Sequence, residues 1–247
     1  RPDRPVLYEL FLNDPLYRAA AGSTRDWSDR ETMIVDQIKA WRYLGYDYAN
    51  VWQLYDFSFS RPQHQKLQTI SLNDAQIITD WPSFERYAWP DPTTACVVPD
   101  TLLLRHLPPG MKLVPLGPGG VLENVIGLVG FETLCYLIAD DAKLAQAIFD
   151  AVGSRLLALY ERILELQSVG AVVANDDWGF KTQPMLAPDD LRRFVFPWHA
   201  RIVAAAHAAG KPVILHSCGN PLSIMEDVIE GMRFDGRHSY EDAIIPV

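Results

Sequence analysis

His216 and Cys218 stand two residues apart in the stretch 211–220, Lys-Pro-Val-Ile-Leu-His-Ser-Cys-Gly-Asn. The apolar run Val213-Ile214-Leu215, bounded by Pro212 and Gly219, reads as a short buried strand. Side chains alternate along a strand, so His216 and Cys218 project to one side where it ends. An imidazole nitrogen and a thiolate presented together suit Zn²⁺. A small buried thiol beside a hydrogen-bonded histidine is the competing reading of the same pair. Asn220 and Pro221 have the residue types of a helix N-cap and first residue, so a helix is expected to start at once.

Other residues with chemical potential gather where neighbouring strands should end. Glu9 follows an expected first strand, Pro5–Phe11. Asp176-Asp177-Trp178 follows a fourth, Ala171–Asn175, and His238-Ser239-Tyr240-Glu241 follows a sixth, Phe234–His238. Glu9, Asp176, Asp177 and His238 are candidate catalytic residues, and Trp178, Asn220 and Tyr240 are candidate substrate contacts. Each has a plainer reading. Glu9 equally suits an arginine ion pair, His238 a loop hydrogen bond and Trp178 a packing role. Adjacent carboxylates rarely face the same way, so one of Asp176 and Asp177 should cap a turn while the other enters the site. His64, His106, His199 and His207 read as structural or exposed, and Cys96 and Cys135 as ordinary buried thiols.

The elements that must position these groups follow a βα rhythm. Tyr48–Trp52 and Lys112–Leu116 are the expected second and third strands, and Val213–His216 leads the fifth. Ser28-x-x-Glu31 has the pattern of a capping box before a helix carrying Ile34, Ile38 and Trp41. Asp140 or Asp141 should cap a long helix with Leu144, Ile148, Val152, Leu156, Leu159 and Ile163 on one face. Pro188-Asp189-Asp190 opens another, which Pro197 should kink or split. Strand alternating with helix implies parallel βα units, either as an open doubly wound sheet or as most of a (β/α)8 barrel. No repeat or linker divides the chain, so residues 1–247 read as one domain. An insertion at about 53–110, rich in aromatics and prolines, would serve as a lid or partner surface.

Composition excludes several classes. The 247 residues carry a formal net charge of -9, which argues against nucleic acid, because phosphate binding needs a basic face. No apolar run approaches the ~18 residues of a membrane helix, and no signal peptide opens the chain, so neither a membrane nor export is expected. Three scattered cysteines suit a reducing cytoplasm rather than a disulfide framework. Gly117-Pro118-Gly119-Gly120 lacks the spacing and lysine of a nucleotide cradle. The partners left are a small-molecule substrate and other proteins, a homo-oligomer among them.

Several segments together resemble the uroporphyrinogen decarboxylase superfamily. They are Gly117-Pro118 through Gly130-Phe131-Glu132, Asp176-Asp177-Trp178-Gly179 with Pro184-Met185-Leu186, Phe196-Pro197-Trp198-His199, and Gly210 through Asn220. The similarity spans most of the chain and is best from about Pro115 to His238. It implies a (β/α)8 TIM barrel, here lacking its last strands. The superfamily holds porphyrinogen decarboxylases, which need no cofactor, and zinc methyltransferases of corrinoid-dependent metabolism, which carry His-x-Cys on a barrel strand. His216-Ser217-Cys218 matches the second branch, and the decarboxylases' Arg-Gln-Ala-Gly-Arg signature is absent, with Arg4-Pro5-Val6-Leu7-Tyr8-Glu9 in its place.

The resemblance therefore implies a zinc methyltransferase with His216 and Cys218 as metal ligands and a corrinoid on a partner protein. The alternatives are a cofactor-free decarboxylase and a non-catalytic corrinoid- or tetrapyrrole-binding barrel. The family's distal cysteine, a third zinc ligand, has no counterpart here. With Arg1 in first place and about six βα units visible, a native chain roughly a hundred residues longer is expected, the missing part closing the barrel.

Overall fold

The computed structural model describes residues 4, 6–24, 27, 29–51, 54–61, 72–73, 76–241 and 244. Its strands are β1 (Tyr48–Val51), β2 (Lys112–Pro115), β3 (Val172–Asn175), β4 (Val213–His216) and β5 (Gly236–His238). All ladders are parallel. β1 pairs with β2, β3 with β4 and β4 with β5. Isolated bridges Leu113–Val169 and Leu116–Val173 carry β2 onto β3. The result is one wall in chain order, β1 to β5, with every strand's carboxyl end on the same rim.

Alternation sorts the strand residues onto two faces. Ala49, Val51, Leu113, Val172, Ala174, Val213 and Leu215 belong to the large core shared with the helices. Tyr48, Val114, Leu116 and Val173 pack with Leu10, Tyr8 and Ile214 in a smaller core on the other face. His216 shares its parity with Ile214 and so emerges on that second face, at the rim.

The helices are α1 (Asp14–Ala21), α2 (Arg30–Tyr43), α3 (Trp81–Arg86), α4 (Asp100–His106), α5 (Val121–Val129), α6 (Phe131–Asp140), α7 (Ala142–Leu164), α8 (Pro188–Asp190) and α9 (Phe196–Ala208). Asp141 caps α7 by accepting from Leu144 N at 3.1 Å. The expected face of α7, from Leu144 to Ile163, is buried throughout. Each such side chain contributes about 1.5–3 kcal/mol of burial before ordering entropy is subtracted. Pro197 has no N–H to donate, and a π-helical turn over Leu191–Val195 separates α8 from α9. No single helix among the described residues is long and apolar enough to cross a membrane.

Three local expectations are corrected. Asp29, rather than Ser28, caps α2, accepting from Glu31 N and Thr32 N; Ser28 lies outside the described residues, as do Pro5, Trp52 and His64. Val6–Phe11 is not a strand. It is hung on β1 by side chains: Asn50 Nδ2 donates to the Glu9 and Leu10 carbonyls at 2.6 and 2.7 Å, and Glu9 N donates to Tyr48 Oη at 2.9 Å. Asn50 thus takes the carbonyls that a backbone ladder would need. The Tyr8 ring lies 5.7 Å from Tyr48 and 5.5 Å from His238, so this segment spans the space between β1 and β5.

After β4 the expected helical run does follow: Asn220 accepts from Leu222 N at 3.1 Å, and residues 222–231 are helical throughout, as a 3-10 turn at Leu222–Ile224, an α-helical pair at 225–226 and a π-helical turn at Asp227–Gly231. Cys96 and Cys135 are exposed, because the loop before α4 and the outer side of α6 carry them rather than the core. Of the six strands expected in this chain, five form among the described residues, Val6–Phe11 being the exception, in an α/β fold with small parallel sheets.

Candidate metal centre

The parallel register places Asn175 opposite His216, and His216 opposite His238. The rim therefore carries two imidazoles side by side, their rings stacked at 5.0 Å and their Nδ1 atoms 2.8 Å apart. The other ring nitrogen of His216, Nε2, faces Cys218 Sγ at 3.7 Å. Asp177 completes a group of three ligand atoms that all lie within 4.8 Å of one another. Its Oδ1 also accepts from Cys218 N at 2.8 Å, which fixes the carboxylate against the turn. That turn needs glycine. Gly219 has φ +83°, and a Cβ there would meet the Gly179 carbonyl oxygen at 2.2 Å. The close approach locks the loop after β3 onto the loop after β4.

Burial lowers the pKa of both His216 and His238, so both imidazoles are neutral at pH 7. In a neutral Nδ1–Nδ1 pair one ring donates and the other accepts. When His216 donates from Nδ1, its Nε2 presents a lone pair toward Cys218. Burial, then the Asp177 charge, pushes the Cys218 thiol up to about 11. Without a cation it is protonated; a bound cation reverses that preference.

The two carboxylates part as expected. Asp177 joins the cluster, whereas Asp176 turns back into the core with no exposure. Asp176 accepts from Leu122 N and Glu123 N at 3.0 and 2.9 Å, capping α5, and lies 2.9 Å from His199 Nε2. Of the two, Asp176 is therefore the one that caps. Trp178 is 1% exposed and packed on Phe196 and His199, which is the packing role its sequence position also allowed. Asn220 serves its turn, donating from N to the Phe180 carbonyl. Tyr240 is exposed beneath the Arg237 guanidinium. Glu9 is exposed and accepts from Leu10 N, and its charge acts on His238.

Two further acids stand near the site. Glu241 accepts from Gly219 N at 3.0 Å and so braces the turn after β4. Glu123, at the start of α5, accepts from Gly120 N at 2.8 Å and from Asn175 Nδ2 at 3.3 Å. Burial and the adjacent Asp176 charge push its carboxyl up to about 7. An acid three residues into a helix that opens on Gly120 was the available clue. Glu123 and His216 line the same cavity of about 420 Å³, roofed by Tyr55, Phe57 and Ser58 of the insertion.

A family model described as uroporphyrinogen decarboxylase (URO-D) matches residues 116–243, just over half of the chain. No curated protein matches the sequence. Among solved structures, a methyltransferase from Methanosarcina mazei superposes with a TM-score of 0.63 at 12% identity, over 96% of this chain and 71% of that one. At that identity the likeness is one of fold.

Proposed function

The chain belongs to the uroporphyrinogen decarboxylase family, and within it we propose a zinc-dependent methyltransferase whose metal ligands are Asp177, His216 and Cys218. The observation that carries this reading is the 3.7 Å between His216 Nε2 and Cys218 Sγ. Ligands at about 2.0 and 2.3 Å from one tetrahedral ion lie about 3.5 Å apart, so the pair fits Zn²⁺ with a shift of only a few tenths of an ångström. The donor chemistry fits as well: a neutral imidazole, a thiol that needs a cation to ionise, and a carboxylate beside them. The wall of five strands is, in this reading, part of a (β/α)8 barrel with the metal at its carboxyl rim.

Bound there, zinc supplies the Lewis acidity that keeps a substrate thiol ionised at neutral pH. His238 fixes the tautomer and ring plane of His216 through the Nδ1–Nδ1 contact. Asp177 holds the Cys218 amide and directs its carboxylate at the same point. Tyr55 and Phe57 cover the adjoining cavity and limit water at the reacting end. The methyl donor in this reading is a methylated corrinoid on a partner protein, which is left as the reduced corrinoid when the thiol takes the methyl; in the reverse direction the partner's reduced corrinoid takes the methyl of a methoxylated small molecule, whose oxygen leaves as a hydroxyl.

The test is zinc-dependent loss of the methyl–cobalt absorbance of methylcobalamin in the presence of a small thiol. His216→Ala and Cys218→Ser should abolish it, as should a chelator. Metal-independent decarboxylation of a porphyrinogen, unaffected by either substitution, would replace this reading with the decarboxylase one.

A further inference from the structure

The loop after β2 lies under a cation that the methyl transfer above does not use. Two cavities, of about 420 and 480 Å³, meet there and share Ser58, Pro118, Gly119 and Glu123. One reaches His216 and the other Arg61, so a single cleft runs from His216 to a guanidinium. Beyond Arg61 a further cavity holds a second arginine, Arg86.

Arg61 is held in place by α5. Its Nη2 donates to Asn124 Oδ1. Asn124 is itself buried and pinned, its Nδ2 donating to the Gly120 and Pro118 carbonyls at 2.7 and 3.2 Å. The guanidinium lies in a notch over Gly127, where a Cβ would fall 2.2 Å from its central carbon. Asn124 is neutral and occupies one of the five N–H donors of the fork. No carboxylate among the described residues forms an ion pair with Arg61. Glu123, the acid in the same cleft, already serves Gly120 N and Asn175 Nδ2. A positioned planar fork with free donors, opening into a cleft, is suited to a carboxylate or phosphate oxygen pair.

We infer that Arg61 docks an oxyanion head group, carboxylate or phosphate, of the small-molecule substrate whose other end reaches His216 and Cys218. The second half of this inference rests on the proposed metal centre; the anion subsite does not.

The two are separated by experiment. On zinc-loaded protein, calorimetry should show 3-mercaptopropionate binding about tenfold tighter than the neutral 3-mercaptopropan-1-ol, a preference that Arg61→Gln abolishes while the alcohol binds as before. On metal-free protein, propionate but not propanol should shift the Arg61 Nε–Hε resonance. Competition by inorganic phosphate in that titration assigns a phosphate-type head group, and its failure a carboxylate. If the resonance shifts but neither thiol needs zinc to bind, the subsite stands and the metal reading fails. Absence of the propionate shift, or a preference for the acid that survives in Arg61→Gln, overturns the inference.

Discussion

Asp176 and Asp177 are neighbours at the end of β3, yet they work in opposite surroundings. Asp176 has no exposed surface and spends its oxygens on two α5 amides and His199. Asp177 is half-buried and faces a thiol and an imidazole across less than 4.8 Å. The difference follows from direction alone: successive side chains leaving a strand point to opposite faces. One face is the helix layer, where a carboxylate is kept only by saturating its acceptors. The other is the rim, where the unsatisfied acceptor capacity suits a cation.

This contrast can be broken at either residue. Asp176→Ala leaves helix amides and an imidazole without their acceptor inside the core, and should cost about 3–5 kcal/mol in denaturant unfolding. A loss under about 1 kcal/mol would mean the α5 cap is dispensable. Asp177→Asn should barely move the unfolding midpoint but weaken zinc about 10–100-fold in chelator competition. Equal zinc affinity would remove Asp177 from the ligand set. If both variants behaved alike, the division between the two faces would be wrong.

Glu123 sharpens the same comparison, because it sits where the two environments meet. Its folded-state pKa is raised from 4.5 to about 7, so its contribution is most favourable when protonated and is lost as pH rises through that window. Glu123→Gln keeps an acceptor for Gly120 N and removes the charge. It should leave stability near pH 4 unchanged and raise it by about 1–3 kcal/mol at pH 8. A variant less stable at pH 8 than at pH 4, relative to the parent chain, would contradict the assigned burial.

What the residues alone reveal divides along sequence distance. His216 and Cys218 were legible because a two-residue spacing on a strand dictates one face, and α7 because its apolar positions recur at helical spacing. Asp176 and Asp177 were legible as a pair with split roles, though not which one turns inward. Val6–Phe11 has strand composition, but Asn50 and Tyr48, some forty residues later, take its backbone groups. Trp178 stands beside two acids in sequence and is carried into the core by Phe196 and His199. Arg61 and Asn124 meet across 63 positions, a contact that no local pattern encodes.

The central claim is that His216 and Cys218 share one zinc ion. X-ray absorption at the zinc edge of the zinc-loaded chain tests it directly. The account predicts one equivalent of zinc with a single protein sulfur at about 2.3 Å and nitrogen or oxygen ligands at about 2.0–2.1 Å, the sulfur shell vanishing in Cys218→Ser. A spectrum with no sulfur, or one unchanged by that substitution, would contradict it.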